Sequence, residues 1–210
     1  MTRLHTALRI PALLMVTLAL SGCITLFPKT KPAQLYTFGY TASDAGSAPT
    51  SRETVRVLKL ASSFTRPSAG DQILTVTGGS DVAYMAQARW VSAASVLFDE
   101  AVNRAFDQGG PARLVGRGDM GRSDYALKLT VADFKVAYDQ PKSKPSVVIS
   151  VQASLTRTSD RALVAERTFS QSVPVADNRQ SDIVTGFNTA LSGVLSEVVT
   201  WTGALGQAGG

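Results

Sequence analysis

Reactive side chains are scarce in this 210-residue chain, and they set the range of chemistry open to it. It has one thiol, Cys23, and one imidazole, His5. Cys23 closes the run LALSGC, residues 18–23, with no second cysteine to pair with and no clustered ligands to complete a zinc site. The other candidates are carboxylates and glycine-rich loops. Asp119, Asp124, Asp133 and Asp139 crowd into one stretch, and two facing carboxylates are what glycosidic or metal-assisted hydrolysis requires. Along an extended segment the four spread over many ångströms, so the plain reading is solvated loop and strand-edge charges. Gly116-Arg-Gly-Asp-Met-Gly121 satisfies GxGxxG. A dinucleotide loop must open a helix, whereas here the alternating RSDYALKLTV follows, which reads as a turn between strands. Gly78-Gly79-Ser80 lacks the flanking pattern of a nucleophile elbow and also reads as a turn.

The thiol finds its role in the elements before it. Residues 1–9 carry Arg3 and Arg9 and no acid, and residues 10–20, IPALLMVTLAL, are apolar apart from Thr17. A positive flank, a short apolar core and the small pair Ser21-Gly22 describe a secretory signal peptide over residues 1–22. The run is too short for a spanning helix, which needs about 20 apolar residues. Leu20-Ser21-Gly22-Cys23 resembles the lipobox of bacterial lipoproteins, in which the bond before the cysteine is cut and the sulfur is acylated. That resemblance implies three acyl chains, palmitate among them, on Cys23. One chain binds a bilayer only marginally and more than one anchors stably, at about 0.8 kcal/mol per buried CH₂. Ile24 follows the cysteine where an aspartate commonly retains lipoproteins in the inner membrane. The expected location is therefore the periplasmic face of the outer membrane, ahead of inner-membrane anchoring.

Cleavage changes the composition that matters. It leaves 188 residues, enough for one domain with a proper core. The mature chain has 19 basic and 16 acidic residues, a charge of about +3 with no dense basic run, which argues against nucleic acid as a partner. His5 leaves with the signal and Cys23 is acylated, so histidine-based triads and histidine- or cysteine-ligated zinc are excluded within one chain. The expectation is a protein that is not an enzyme, with no cofactor and no metal.

Residues 23–33 form the lipidated cysteine and a short tether containing Pro28 and Pro32. At about 3.3–3.6 Å per extended residue, this holds the domain close to its membrane. Strands are expected at 34–38, 54–60 and 72–77, with a loop over 41–53 and irregular chain over 62–71. A helix is expected from Val91 to about Asp107, with Trp90, Leu97, Phe98, Ala101, Ala105 and Phe106 at helical spacing. From residue 112 the period becomes two. Tyr125, Leu127, Leu129 and Val131 share one parity and Phe134, Val136 and Tyr138 the other, which predicts a β-bulge at Ala132-Asp133. Three consecutive strands there predict an antiparallel meander. A second long helix follows, with Asp177 and Gln180 as a capping box and a stripe from Ile183 to Trp201. Residues 203–210, GALGQAGG, read as a flexible tail. The predicted fold is α+β, an antiparallel sheet with two long amphipathic helices packed on one face, filling one domain over 34–202. One segment has no obvious core role. Val82, Ala83, Tyr84 and Met85 sit in a loop-like stretch near Arg89 and Trp90; Tyr84, Met85, Arg89 and Trp90 are the candidate partner surface, the stretch being read either as a partner or lipid surface or as burial against the helix.

From Cys23 to about Trp201 the chain resembles the ABC-type transport auxiliary lipoproteins, the PqiC-like (YmbA-like) family. The lipobox, LYTF (35–38), VRVLKL (55–60), AYMAQARW (83–90), SDYALKLTVADF (123–134) and EVVTW (197–201) carry the likeness, in that order. Tyr84, Arg89 and Trp90 match the family's tyrosine and Arg-Trp pair, while TGGSDV before them differs from its usual arginine-bearing loop. The resemblance implies a non-catalytic lipoprotein working with an ABC permease, its ATPase and an MCE-domain protein. Such systems move phospholipids or other hydrophobic molecules across the Gram-negative envelope. The implied role is docking the assembly at the outer membrane, with homo-oligomer formation among the expectations. Competing readings are a module carrying a lipid in an apolar cavity, an envelope hydrolase using the acids above, and a structural assembly factor.

Overall fold

The computed structural model describes residues 32–41, 55–108, 110–116, 118 and 123–208. Leu20, Ser21, Gly22, Cys23, the signal segment and the tether up to Lys31 lie outside these residues, as do nearly all of the 41–53 loop, Arg117 and Asp119.

Alternating side chains make β7 (Tyr125–Tyr138) the central strand. Tyr125, Leu127, Leu129 and Val131 are buried, and so are Phe134 and Val136 on the opposite parity. The phase change falls where expected: Val131 faces Val151 and Asp133 faces Ser150, so Ala132 is the extra residue of a β-bulge. One edge of β7 pairs antiparallel with β8 (Ser146–Arg157), and β8 pairs antiparallel with β9 (Leu163–Pro174), giving the predicted meander.

The other edge of β7 is shared by three short strands. β2 (Val55–Lys59), β3 (Ser63–Phe64) and β4 (Gln72–Thr77) meet it in succession, Val57 at Tyr125, Ser63 at Thr130 and Thr75 at Val136. The chain from 55 to 77 thus runs once along β7, leaving it for the short helix α1 (Arg66–Ala69). Beyond this edge the sheet forks. β2 carries β6 (Ala112–Val115), and β4 carries β5 (Asp81–Trp90), which carries β1 (Gln34–Tyr36).

The architecture is α+β, with a nine-stranded sheet and two long helices. The sheet is mixed where an antiparallel one was expected: β7 meets β2, β3 and β4 in parallel, as β2 meets β6 and β1 meets β5. Alternation reports a half-buried strand but not its direction, because both directions place side chains at period two.

α2 (Ala94–Asp107) buries Leu97, Phe98, Ala101, Ala105 and Phe106 on one stripe. It starts three residues later than the periodicity suggests. The Trp90 N–H donates to the Asp71 carbonyl and the Val91 N–H to that of Tyr36, both at 2.7 Å, which keeps this stretch extended. α3 (Gln180–Ala208) buries Ile183, Phe187, Ala190, Leu191, Val194 and Val198 against β8 and β9. Gln180–Leu205 is long and apolar enough to span a membrane by composition, but its apolar stripe is core.

Two expectations about α3 are corrected. Residues 203–208 continue the helix, with Thr202 and Gly203 buried. The Gly203 position faces Pro111 so closely that an added Cβ would lie 1.9 Å from its Cγ. Here a poor helix former is kept for close approach. The capping box is absent too. The Asp177 carboxylate accepts from the Asn178 N–H at 2.8 Å and pairs with Arg179 at 3.0 Å, while the Gln180 amide reaches other elements.

Ala33–Gly210 is one compact unit containing the whole core, so this stretch satisfies its own burial. At its centre Trp90 contacts Phe38 (4.8 Å between ring centroids) and Phe187 (5.1 Å), both edge-on, and Phe134 packs on Phe38 and Phe187.

Candidate partner edge on strand β5

Gly78 and Gly79 have φ of +58° and +79°. Positive φ at both central positions is the I′ pattern, whose twist matches a hairpin and which residues other than glycine and asparagine adopt poorly. The Gly78 N–H donates to the Tyr138 carbonyl at 2.9 Å, tying the turn to the end of β7. The turn sends β5 back along β4, pairing Asp81 with Thr77 and Tyr84 with Leu74.

The strand then breaks. β4 advances two residues, from Leu74 to Gln72, while β5 advances five, from Tyr84 to Arg89, and Gln87 takes φ +58°. Gln180 braces the bend: its Nε2 donates to the Ala86 carbonyl at 3.1 Å, and its Oε1 accepts from the Tyr36 hydroxyl at 3.0 Å. β1 covers only Ala88–Trp90. Among the described residues, no strand pairs with the outer edge of Asp81–Gln87.

That edge is unusual in chemistry as well as geometry. Asp81 through Gln87 are exposed on both faces apart from the half-buried Met85, with Val82 at 62% and Tyr84 at 44%. No charged residue falls between Asp81 and Arg89. Exposed strand edges ordinarily carry lysine, proline or inward charges that block pairing with another chain. This one carries none, and is open to an added strand.

Of the residues singled out by sequence, Tyr84 lies on this edge and Met85 packs partly against the core. Arg89 pairs with Asp71 at 2.9 Å. Trp90 is 2% exposed and belongs to the core, which corrects its reading as surface. The loop-like reading of 82–85 is also corrected, because these residues are strand. Exposure of both faces removes the polar–apolar alternation that marks a strand. Val82, part of the segment singled out by sequence, is its most exposed large apolar residue, while Leu35 (61%) and Val91 (57%) beside the β1–β5 pairing were missed.

Of the four acids, the three described ones, Asp124, Asp133 and Asp139, do not come together as a site. Asp124 receives the Arg56 backbone N–H (3.0 Å) and two guanidinium N–H groups, at 3.3 and 2.8 Å. The hydrogen bond from the Arg56 side chain leads in holding its carboxyl below the usual 3.8. Asp133 pairs with Lys135 at 2.6 Å. Asp133 lies nine residue steps beyond Asp124 along nearly extended chain, roughly 30 Å at strand rise, too far for a shared reaction centre. Asp139 is exposed. No group of three or more metal-ligating side chains comes together among the described residues. Past the glycine loop, residues 125–138 are strand, and among the described residues no helix starts there to receive a pyrophosphate.

A family model for the ABC-type transport auxiliary lipoprotein component matches residues 36–199. The chain belongs to that family. The match takes in the whole sheet from Tyr36 onward and most of α3. A DUF330-family protein from Xanthomonas campestris superposes with a TM-score of 0.73 at 25% identity, covering 84% of this chain and 98% of that one. A hypothetical protein from Chlamydia trachomatis shares the fold, with a TM-score of 0.54 at 10% identity over 74% of this chain and 99% of its own. No curated protein matches in sequence. As an ABC-type transport auxiliary lipoprotein, the protein is an envelope-associated component of a transport system.

Proposed function

We propose that this auxiliary lipoprotein is the non-catalytic docking component of an MCE-type ABC transport system moving phospholipids or other hydrophobic molecules across the Gram-negative envelope. Acylated Cys23 holds it on the periplasmic face of the outer membrane. The exposed edge of β5 receives an extended segment of the MCE-domain protein, whose permease and ATPase lie at the inner membrane. The observation carrying this reading is the six-residue uncharged edge Val82–Gln87, unpaired on one side among the described residues and largely exposed, in a member of a transport-auxiliary family.

Copurification from envelopes in mild detergent tests it. The wild type is expected to bring down the MCE protein and permease, and Val82→Lys, a charge on the open edge, to lose them while folding normally. Recovery of the lipoprotein with no transport component would sink the docking role, and full recovery with Val82→Lys would move the contact to another surface.

A further inference from the structure

The two long helices cover one face of the sheet, α3 reaching Phe134 through Phe187 and α2 through Phe98 and Phe64. Register identifies the residues on the other face, because directly paired residues project to the same side. Where β7, β8 and β9 lie side by side that face is polar. Lys128, Ser154 and Glu166 form one row, and Thr130, Gln152 and Thr168 the next.

At the β4–β5–β1 end the same face turns apolar. Thr75 pairs with the buried Val136 on the helix side, so Leu74 and Val76 belong to the open face, and with them their partners Tyr84 and Val82. Beyond the bend in β5, Gln72, Arg89 and Leu35 form the next row. Val91, just past the strand, is exposed as Leu35 is. Arg89 is the one charged residue in these rows, and Asp71 neutralises it at 2.9 Å. Exposed apolar side chains without a bare charge, a tyrosine among them, suit the headgroup boundary of a bilayer.

Chain connectivity favours a bilayer over another protein as the occupant. β1 is the first strand of the chain, and Gln34 stands eleven residue steps from Cys23, at most about 40 Å when fully extended. The polar edge strand β9 lies five strand spacings from β1, about 24 Å across the sheet. An acylated Cys23 therefore brings the apolar end to the membrane surface ahead of the polar end.

We propose that this end of the open face, with Leu35, Val91 and Tyr84 foremost, rests in the interfacial layer of the membrane that holds Cys23. The proposal rests on the anchoring reading and goes beyond it: the acyl chains hold the domain, and the patch orients it. This contact uses side chains normal to the sheet, whereas a strand added to β5 uses backbone groups in the sheet plane, so both surfaces can be occupied together.

Full-length acylated protein in vesicles of phosphatidylethanolamine and phosphatidylglycerol tests it. With the Cys23 sulfur in thioether linkage, an environment-sensitive fluorophore attaches to one introduced cysteine, in Leu35→Cys, Val91→Cys, Gln152→Cys or Thr189→Cys. The last two report the polar end of the same face and the exposed side of α3. A phospholipid spin-labelled at the top of its acyl chain should quench the first two probes several-fold more than the last two. Adding Val91→Asp to Leu35→Cys should lower its quenching to the Gln152→Cys level, with flotation on the vesicles unchanged. Equal quenching of all four probes would mean that the domain turns freely on its tether, and would overturn the proposal. Blue-shifted emission from the first two probes without lipid quenching would assign the patch to a second copy or another protein, and overturn it too. Wild-type protein that fails to float would remove the anchor and this proposal with it, whereas flotation with equal quenching removes the proposal alone.

Discussion

At the scale of single residues, the ion pairs among the described residues tie neighbouring segments together. Asp124 shows this best, since the Arg56 backbone and guanidinium hold its carboxyl in the charged form. A carboxyl whose folded pKa is depressed stabilises the fold above its ordinary value of 3.8, and loses that contribution as pH falls through the lowered one. Asp124→Asn should cost about 0.5–1 kcal/mol at neutral pH, the range of exposed, screened pairs. The Tm gap from wild type, measured across pH, should narrow below about pH 4. Trp90 works through packing. It joins Phe38, Phe134 and Phe187, and Trp90→Ala should cost about 3–5 kcal/mol in urea unfolding, by cavity formation in a closed aromatic cluster. An Ala variant that unfolded at wild-type urea would mean the cluster contributes little.

At the scale of elements, close approaches govern where helices lie. α3 passes the Gly110–Pro111 turn with glycine on both sides. An added Cβ at Gly110 would lie 2.5 Å from Val199, and one at Gly203 would meet the rigid Pro111 ring. Gly203→Ala should therefore destabilise by about 1–3 kcal/mol, as overpacking does, although alanine favours an isolated helix. A thermal melt with raised Tm would refute the close contact. The bulge at Ala132 was legible because burial demanded a phase change, and only an extra residue keeps Val131 and Phe134 both inside. The β5 strand was not legible as a strand, since its first residues, Asp81–Tyr84, are exposed on both faces.

At the scale of the whole molecule, the claim is that anchor and edge act together. Mass analysis of the processed protein should find Cys23 at the N-terminus bearing acyl chains, and Cys23→Ser should release it from the membrane fraction. An unmodified thiol on wild-type protein would remove the anchor. With the anchor lost and the domain intact, the Cys23→Ser protein should still bind the transporter in detergent through β5. This separates holding from docking.

Sequence alone determined the two long helices, the meander and its bulge, because each rests on local periodicity set by one buried face. It also identified the candidate anchor and the lack of histidine and of further cysteine after residue 23. Tertiary structure decided the rest. Whether β2, β3 and β4 run with β7 or against it depends on where the chain re-enters the sheet, which no local pattern records. The fate of the 81–90 segment was decided there too, with Trp90 drawn into the core and Val82 and Tyr84 left outside. Burial is a property of what lies opposite, and the residues opposite Trp90, Phe38 and Phe187, come from distant parts of the chain.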